Sequence, residues 1–376
     1  MKTLKDLNVN GQKVLLRVDF NVPLTDNMQV KDNTRIKEAV PTIKYLLEQG
    51  GAKQVICLAH FGRPKGKIVE EMRLAPVVSE LETILGMPVG YSRDLTVPEG
   101  KVVLLENIRF YAGEEINDPE FSKQLASLAD CYVNDAFGTA HRAHGSTAGV
   151  AELLPHAAGL LMQKEVENLE KVLHNPEHPV VAIIGGAKIS TKISLIKNLL
   201  PKVEYLLLGG ALANTVLLAQ HKQVGKSLVE KDLANTISDL VSNKLRIPVD
   251  VATVKDIETK KDLKIKAVGA VIADDIILDI GPDTVNLYEK CIQQAKTIIW
   301  NGPMGLFEQT DFAKGTYGVA RAVADSDGYS VIGGGETVAA VKNTGLENKI
   351  SFISTGGGAM LEFLEGKTLP GIEALE

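Results

Sequence analysis

Short apolar runs separated by amphipathic stretches set the rhythm of this chain. An apolar run of four to eight residues bounded by turn residues marks a strand buried on both faces, and an apolar repeat near 3.6 marks a helix packed against it. In the first half the strand-like runs are KVLLRVDF (13–20), QVICLA (54–59), KVVLLEN (101–107) and CYVNDAF (131–137). In the second half they are VVAIIGG (180–186), YLLLGG (205–210), AVIADDII (270–277), TIIWNG (297–302), SVIGGG (330–335) and ISFISTGGG (350–358). Helical patterns fill the gaps. Ile36, Ala39, Val40, Ile43, Leu46 and Leu47 recur at helical spacing, with Asn33 or Thr34 as cap and Gly50–Gly51 as stop. Pro41, inside that pattern, is expected to kink or restart the helix.

This alternation predicts an α/β fold of two Rossmann-like domains, each a mostly parallel sheet with helices on both faces. Residues 151–179 end in a charged, periodic segment that reads as a long helix stopped by Asn175 and Pro176. It would join the two halves as a hinge helix, dividing the chain into residues 1–165 and 166–361. The pattern gives no partner for the C-terminal LPGIEALE.

Length agrees with this division, since 376 residues exceed one ordinary core. The net charge of −6 argues against bulk binding to nucleic acid or an anionic membrane, so any basic site must be local. Cys57, Cys131 and Cys291 are widely spaced and read as core residues in a reducing compartment. The N-terminus lacks a signal-peptide pattern and no run approaches the roughly 18 apolar residues of a membrane helix, so a soluble cytoplasmic protein is expected.

Ligands of open parallel sheets bind beyond the carboxyl ends of the strands. There the two halves differ. The first carries Arg17, Asp19 and Asn21, then His60 and Arg63, then Arg109, then His141, Arg142 and His144. Arg35 opens the first helix, where its charge opposes the helix dipole and calls for a compensating anion. Guanidinium groups suit bidentate capture of carboxylate and phosphate oxygens, so these loops predict a basic pocket. Any one of them alone reads as a solvated loop residue; five arginines at consecutive strand ends do not. His141 and His144 lack accompanying metal ligands and read as anion contacts.

The second half carries glycines instead: Gly185–Gly186, Gly209–Gly210, Gly333–Gly335 and Gly356–Gly358. These suggest backbone N–H groups approaching a phosphate. Lys188 and Lys192 are expected one helical turn apart on one face. Glu336 opens a helix as a candidate Mg²⁺ ligand beside the hydroxyl of Thr337, and Glu308 is placed for ribose hydroxyls. Asp274, Asp275 and Asp279 read as loop residues or residues leading into a helix. GKS at 225–227 is not a P-loop, because Gln220 stands where glycine is required, and no GxGxxG occurs, which weakens a nicotinamide dehydrogenase reading. A basic half and a glycine-rich, Mg²⁺-capable half imply phosphoryl transfer between an anionic metabolite and a nucleotide, with water excluded by hinge closure. A non-catalytic anion-binding scaffold is the alternative from another class.

RVDFNVP, DNTRI, HFGRP, LENIRF, NDAFGTAHRAH, GGAKISTK, DIGPDT, NGPMGLFE, GGGET and STGGGAMLEFLEGK run in order from residue 17 to 367, and together the sequence resembles the phosphoglycerate kinase family. The resemblance implies reversible, in-line phosphoryl transfer between 1,3-bisphosphoglycerate and ADP, giving 3-phosphoglycerate and ATP in glycolysis, with Mg²⁺. It implies a phosphoglycerate site of Asp19, Asn21, Arg35, His60, Phe61, Gly62, Arg63, Arg109 and Arg142, completed by His141 and His144. It implies a nucleotide site of Gly186, Lys188, Lys192, Gly210, Asn301, Pro303, Glu308, Gly334, Gly335, Glu336 and Thr337. Arg35, Lys188 and Lys192 would act on the migrating group, and Glu336 would hold the metal. A monomer is implied, with residues 362–376 packing back on the first domain. Two residues depart from the family pattern: Glu336 stands where many members have Asp, and Met360 replaces a small polar residue.

Overall fold

The structure is a computed structural model that describes residues 1–376 apart from 234–236 and 238–241. It divides into two compact units, Met1–Glu167 with Thr368–Glu376, and Asn168–Lys367. The division falls within the helix Leu160–Leu173.

Unit 1 is built on six strands: β1 (Lys13–Arg17), β2 (Gln54–Leu58), β3 (Val89–Ser92), β4 (Val102–Leu105), β5 (Cys131–Asn134) and β6 (His156–Ala158). They lie in the order β3-β4-β2-β1-β5-β6, all parallel. Val14, Leu15 and Leu16 are fully buried, as are Val55 to Leu58, because helices cover both faces. Each predicted strand stops one to three residues short of the apolar run that marked it. Val18 to Phe20 remain buried but have left the ladder, and they carry the chain into the loop that holds Asp19. β3 and β6 had no counterpart in the sequence reading; they are short strands at the two edges of the sheet.

The first helix runs Thr34–Lys44 without a break at Pro41, which lies on the exposed face, and it widens into a π-type turn at Tyr45–Gln49. Its cap differs from expectation. Asp32 Oδ1 accepts from the Thr34 N–H (2.8 Å), while the Asn33 amide donates to Glu80 Oε1 (2.6 Å). Asp135 caps a second helix from a distance, its Oδ1 accepting the N–H groups of Leu161 (2.8 Å) and Met162 (3.2 Å). The C-terminal segment is a short helix, Pro370–Glu373, within unit 1. The Gly371 N–H donates to Ala140 O, the Lys2 N–H donates to Leu375 O, and Leu369 and Leu375 are buried.

Among its described residues unit 2 has nine strands: β7 (Val180–Ile184), β8 (Tyr205–Leu208), β9 (Leu245–Arg246), β10 (Asp250–Val254), β11 (Lys264–Ala267), β12 (Ile276–Ile280), β13 (Thr297–Asn301), β14 (Tyr329–Gly333) and β15 (Phe352–Ile353). Six form a parallel sheet in the order β15-β14-β13-β7-β8-β9, centred on the buried Trp300. The other three form an antiparallel sheet, β11-β10-β12, of which the sequence reading marked only the run over 270–277. The strand expected over 270–277 begins only at Ile276, after a 3-10 turn at Val268–Ala270. Met360, one of the two departures, is fully buried; its Sδ lies 1.9 Å from where a Cβ on Gly333 would stand, so the thioether fills the space glycine leaves. The three cysteines are free and buried. No helix among the described residues is long and apolar enough to cross a membrane.

Leu375 is fully buried in unit 1 although it lies 208 residues in sequence beyond Glu167 (375 − 167). Leu375→Ala should therefore lower the stability of unit 1 by about 2–5 kcal/mol. Denaturant unfolding followed by a probe in that unit measures it, and a loss below about 0.5 kcal/mol would show that the segment does not contribute to the core.

Candidate functional site

The loops after β1, β2, β4 and β5 converge at the carboxyl edge of the unit 1 sheet. Asn21 Oδ1 accepts from the Gly62 N–H (3.0 Å), and Arg109 Nη1 donates to Gly62 O (2.8 Å), so three loops meet at one glycine. The Phe61 backbone is pinned by Asn107, whose Oδ1 accepts from Phe61 N and whose Nδ2 donates to Phe61 O. Arg35 Nη1 donates to Asp19 Oδ2 (2.9 Å) and to Asn21 O (3.1 Å). Asp19 thus supplies part of the negative charge that an arginine at a helix N-terminus requires. Arg142 Nε donates to His141 Nε2 (3.1 Å). Arg63 stands exposed on the same loop as His60.

Charge is concentrated here beyond what the local carboxylates offset. Burial, with the Arg17 and Arg142 guanidinium groups nearby, pulls Arg109 down to about 10. Burial, then Arg109, Arg17 and Arg142, hold His144 down at about 3, and His60 is pushed well below the usual imidazole range, again by burial first and the arginines second. Both imidazoles are neutral at pH 7. A cluster of cations that suppresses its own histidines is built to receive an anion, which relieves the repulsion on binding.

Arg17 differs from its expected place on the pocket wall, because its side chain is fully buried. Two further residues here escaped the sequence reading. Glu114 is fully buried and accepts from both the N–H (2.8 Å) and the hydroxyl (2.6 Å) of Ser146, itself fully buried. In the run YAGEEIND, Glu114 looks like one of two surface acids, and nothing local marks it as internal.

In unit 2 a cleft of about 530 Å³ is lined by Gly186, Gly210, Leu278, Pro303, Glu308 and Glu336, among others. Its floor includes Val251, Ile277 and Met304, an apolar surface suited to a flat ring. Lys192 is partly buried at the start of the helix Ile193–Leu199, and its Nζ donates to Gly185 O (2.7 Å), Asn301 Oδ1 (2.7 Å) and Asn301 O (3.2 Å). Burial lowers its pKa to about 8, against a smaller opposing pull from Glu336. Asn301 Nδ2 donates to Gly333 O (2.9 Å), so one amide fixes the ends of two strands and the lysine.

Three expectations need correction. Lys188 and Lys192 do not share a helix face: Lys188 sits exposed in the loop after β7, and the helix begins only at Ile193. The N–H groups of Gly185, Gly186, Gly209 and Gly210 donate to Asn301, Pro303, Ile184 and Met304 carbonyls respectively, so these glycines serve close packing of the loops rather than phosphate capture. At Gly210 (φ +66°) a Cβ would stand 2.6 Å from Gly186 O, which only glycine avoids. Asp279 is no loop residue. It lies in β12, buried, accepting from Gly315 N (2.7 Å) and Ile280 N (2.9 Å), and burial raises it to about 7.

The remaining expected residues are placed as follows. Gly334 caps the helix Gly335–Thr344, whose first N–H groups have no intrahelical acceptor. Glu336 is exposed in the first turn, and Thr337 is fully buried with its Oγ1 accepting from Gly302 N (2.6 Å). Glu308 is exposed at the rim of the cleft. No group of three or more His, Cys, Asp or Glu side chains among the described residues could hold a metal ion. A lone carboxylate fits an ion that brings most of its own ligands, as Mg²⁺ does with water and nucleotide phosphates.

The phosphoglycerate kinase family model matches residues 4–367. A phosphoglycerate kinase of Moorella thermoacetica is 54% identical over 389 aligned positions, spanning 99% of this chain and 98% of that protein. The phosphoglycerate kinase of Herpetosiphon aurantiacus is 50% identical, spanning 100% and 98%. Among solved structures, phosphoglycerate kinase from Coxiella burnetii superposes with a TM-score of 0.90 at 43% identity, covering 99% of this chain and 98% of that one. The Pyrococcus horikoshii enzyme does so with 0.86 at 33% identity, covering 100% and 98%. A basic cluster on one parallel sheet, a glycine-walled cleft on another and likeness along the full length agree, and the chain belongs to the phosphoglycerate kinase family.

Proposed function

We propose that this chain carries out the reaction of its family, reversible phosphoryl transfer between 1,3-bisphosphoglycerate and ADP, with the acid held by unit 1 and the nucleotide by unit 2. The observation that carries the assignment of ligands is the contrast in charge. Unit 1 gathers Arg17, Arg35, Arg109 and Arg142 around two neutral histidines, whereas the cleft of unit 2 combines an apolar floor with Lys226 on its wall, Lys192 beside Gly186 and one open helix N-terminus. A small, densely charged acid phosphate suits the first, and a base with a phosphate tail suits the second.

In this reading Arg35, Arg109 and Arg142 take the carboxylate and phosphate oxygens of phosphoglycerate, with Asp19, Asn21 and His60 binding its hydroxyl and remaining oxygens. Glu308 accepts from the ribose, Gly334 and Gly335 bring the helix N-terminus to the phosphates, and Lys192 with the exposed Lys188 neutralises the transferring group. Glu336 would hold Mg²⁺, which supplies charge neutralisation across the phosphate oxygens when bound. The protein offers no covalent nucleophile in this scheme. Its contribution is orientation and positive charge fixed in advance, and in-line transfer follows hinge closure that keeps water out. The protein is expected to act as a cytoplasmic monomer.

Arg142→Ala removes one charge-assisted contact to the acid, worth about 1.5–3 kcal/mol. The KM for 3-phosphoglycerate should rise about 10- to 100-fold, while the KM for ATP stays within twofold. Steady-state kinetics in both substrates decides this; equal changes in the two would sink the division of ligands between the units.

Lys192, lowered to about 8, is charged below that pH and neutral above it. The kcat/KM for ADP, which reports the free enzyme, should therefore fall as pH rises through about 8. Lys192→Arg, which stays charged, should remove that limb, and Lys192→Ala should lower kcat by about 10²- to 10³-fold. An unchanged alkaline limb in the arginine variant would assign the titration to another group.

A further inference from the structure

Beneath the basic cluster of unit 1 runs a line of polar contacts closed to solvent. Glu114, Ser146 and Arg17 are each fully buried, and His60 is 5% exposed. Glu114 accepts the only hydroxyl proton of Ser146 at Oε1 (2.6 Å) and the Ser146 N–H at Oε2 (2.8 Å). With its proton spent, the Ser146 oxygen is left to accept, and it takes the Arg17 Nε–H at 2.9 Å. Arg17 Nη1 donates to Val18 O, and Nη2 lies 3.3 Å from His60 Nδ1. Each donor in this line is oriented by the acceptor before it.

The last contact has only one chemical solution. A guanidinium carries N–H donors and no acceptor, and it stays protonated in proteins. His60 Nδ1 must therefore be the unprotonated, accepting nitrogen, and the single proton of the neutral ring sits on Nε2. The opposite tautomer would set an imidazole N–H against a guanidinium N–H. We propose that Glu114 and Ser146 are positioning residues for the phosphoglycerate site, acting through Arg17 to hold His60 as the neutral Nε2–H tautomer, so that the ring offers an anionic substrate a fixed N–H donor. The inference rests on the proposed phosphoglycerate site, and it assigns a task to three buried residues that do not themselves touch the ligand. A neutral donor has a physical advantage here, because it adds a hydrogen bond without adding a further positive charge to an already crowded set.

The test uses the full-length protein with ¹⁵N-labelled histidine. The seven ring signals are sorted by comparison with His60→Gln. At pH 7, without ligand, wild-type His60 should show an unprotonated Nδ1 and a protonated Nε2. Ser146→Ala should turn this into a tautomer mixture and raise the KM for 3-phosphoglycerate about 3- to 10-fold, with kcat and the KM for ATP within twofold. Glu114→Gln should do the same and serves if the alanine variant does not fold. The proposal is overturned if wild-type Nδ1 carries the proton. It is equally overturned if the variants lose thermal stability or activity in both substrates with His60 unaltered, the mark of a merely structural network. Because the tautomer is read without ligand, failure of the site assignment is separate: it would appear as an Arg142→Ala variant that binds 3-phosphoglycerate normally while His60 keeps its expected proton.

Discussion

Like charges in one small volume repel, and unit 1 is organised around that repulsion. Burial, reinforced by the guanidinium groups of Arg17, Arg109, Arg35 and Arg142, holds His60 neutral, and burial with Arg17 and Arg142 nearby depresses Arg109 itself. Such a cluster folds only if each charge is hydrogen-bonded and some are partnered by carboxylates. The structure shows how this is met: Asp19 on Arg35, Glu115 3.6 Å from Arg109, Ser146 and Val18 O on Arg17, and Glu114 buried behind them. Burial raises the Glu114 carboxyl, while Arg17 and the two Ser146 bonds pull it the other way. The remaining excess of positive charge is what a bound anion satisfies.

In the proposed division of ligands, unit 2 solves a different problem with a different residue. A nucleotide phosphate tail carries several charges but needs room, and the strand ends here are stripped of side chains. The loops after β7, β8 and β13 touch backbone to backbone, with Gly185, Gly186, Gly209 and Gly210 donating to carbonyls of neighbouring segments. That packing leaves the cleft open above an apolar floor, and it ties Lys192 to the ends of two strands through Asn301. A partly desolvated lysine, its three protons already directed, changes little in position when an anion arrives. Preorganised charge of this kind is effective because no reorganisation is left for the moment of transfer.

Most of the parallel core was legible because its strands are nearly continuous apolar runs, which local composition reports directly. β11 was not: its four residues, Lys264–Ala267, are mostly exposed, and their lysines suit an edge strand while resembling a charged loop. β3 and β6 were missed for a related reason, since edge strands are short and half covered. Lys188 and Lys192 were wrongly joined on one helix because spacing alone cannot say where a helix starts. Only the loop geometry after β7 does that. Asp279 was misread because an acidic residue two places after Ile277 looks solvated until the N–H groups of Ile280 and Gly315 are seen to converge on it.

The sequence by itself determined the α/β class, the two-part organisation, the family, and the residue types gathered at the strand ends. These depend on local pattern and on motifs that read the same in any conformation. Tertiary structure alone decided which arginine is partly exposed and which is buried, which glycine N–H groups are already bonded, and which carboxylate stands behind the cations. Those properties arise from contacts between residues far apart in the chain, such as Arg17 with Ser146 or Lys192 with Asn301, and no local pattern encodes a contact made across more than a hundred residues.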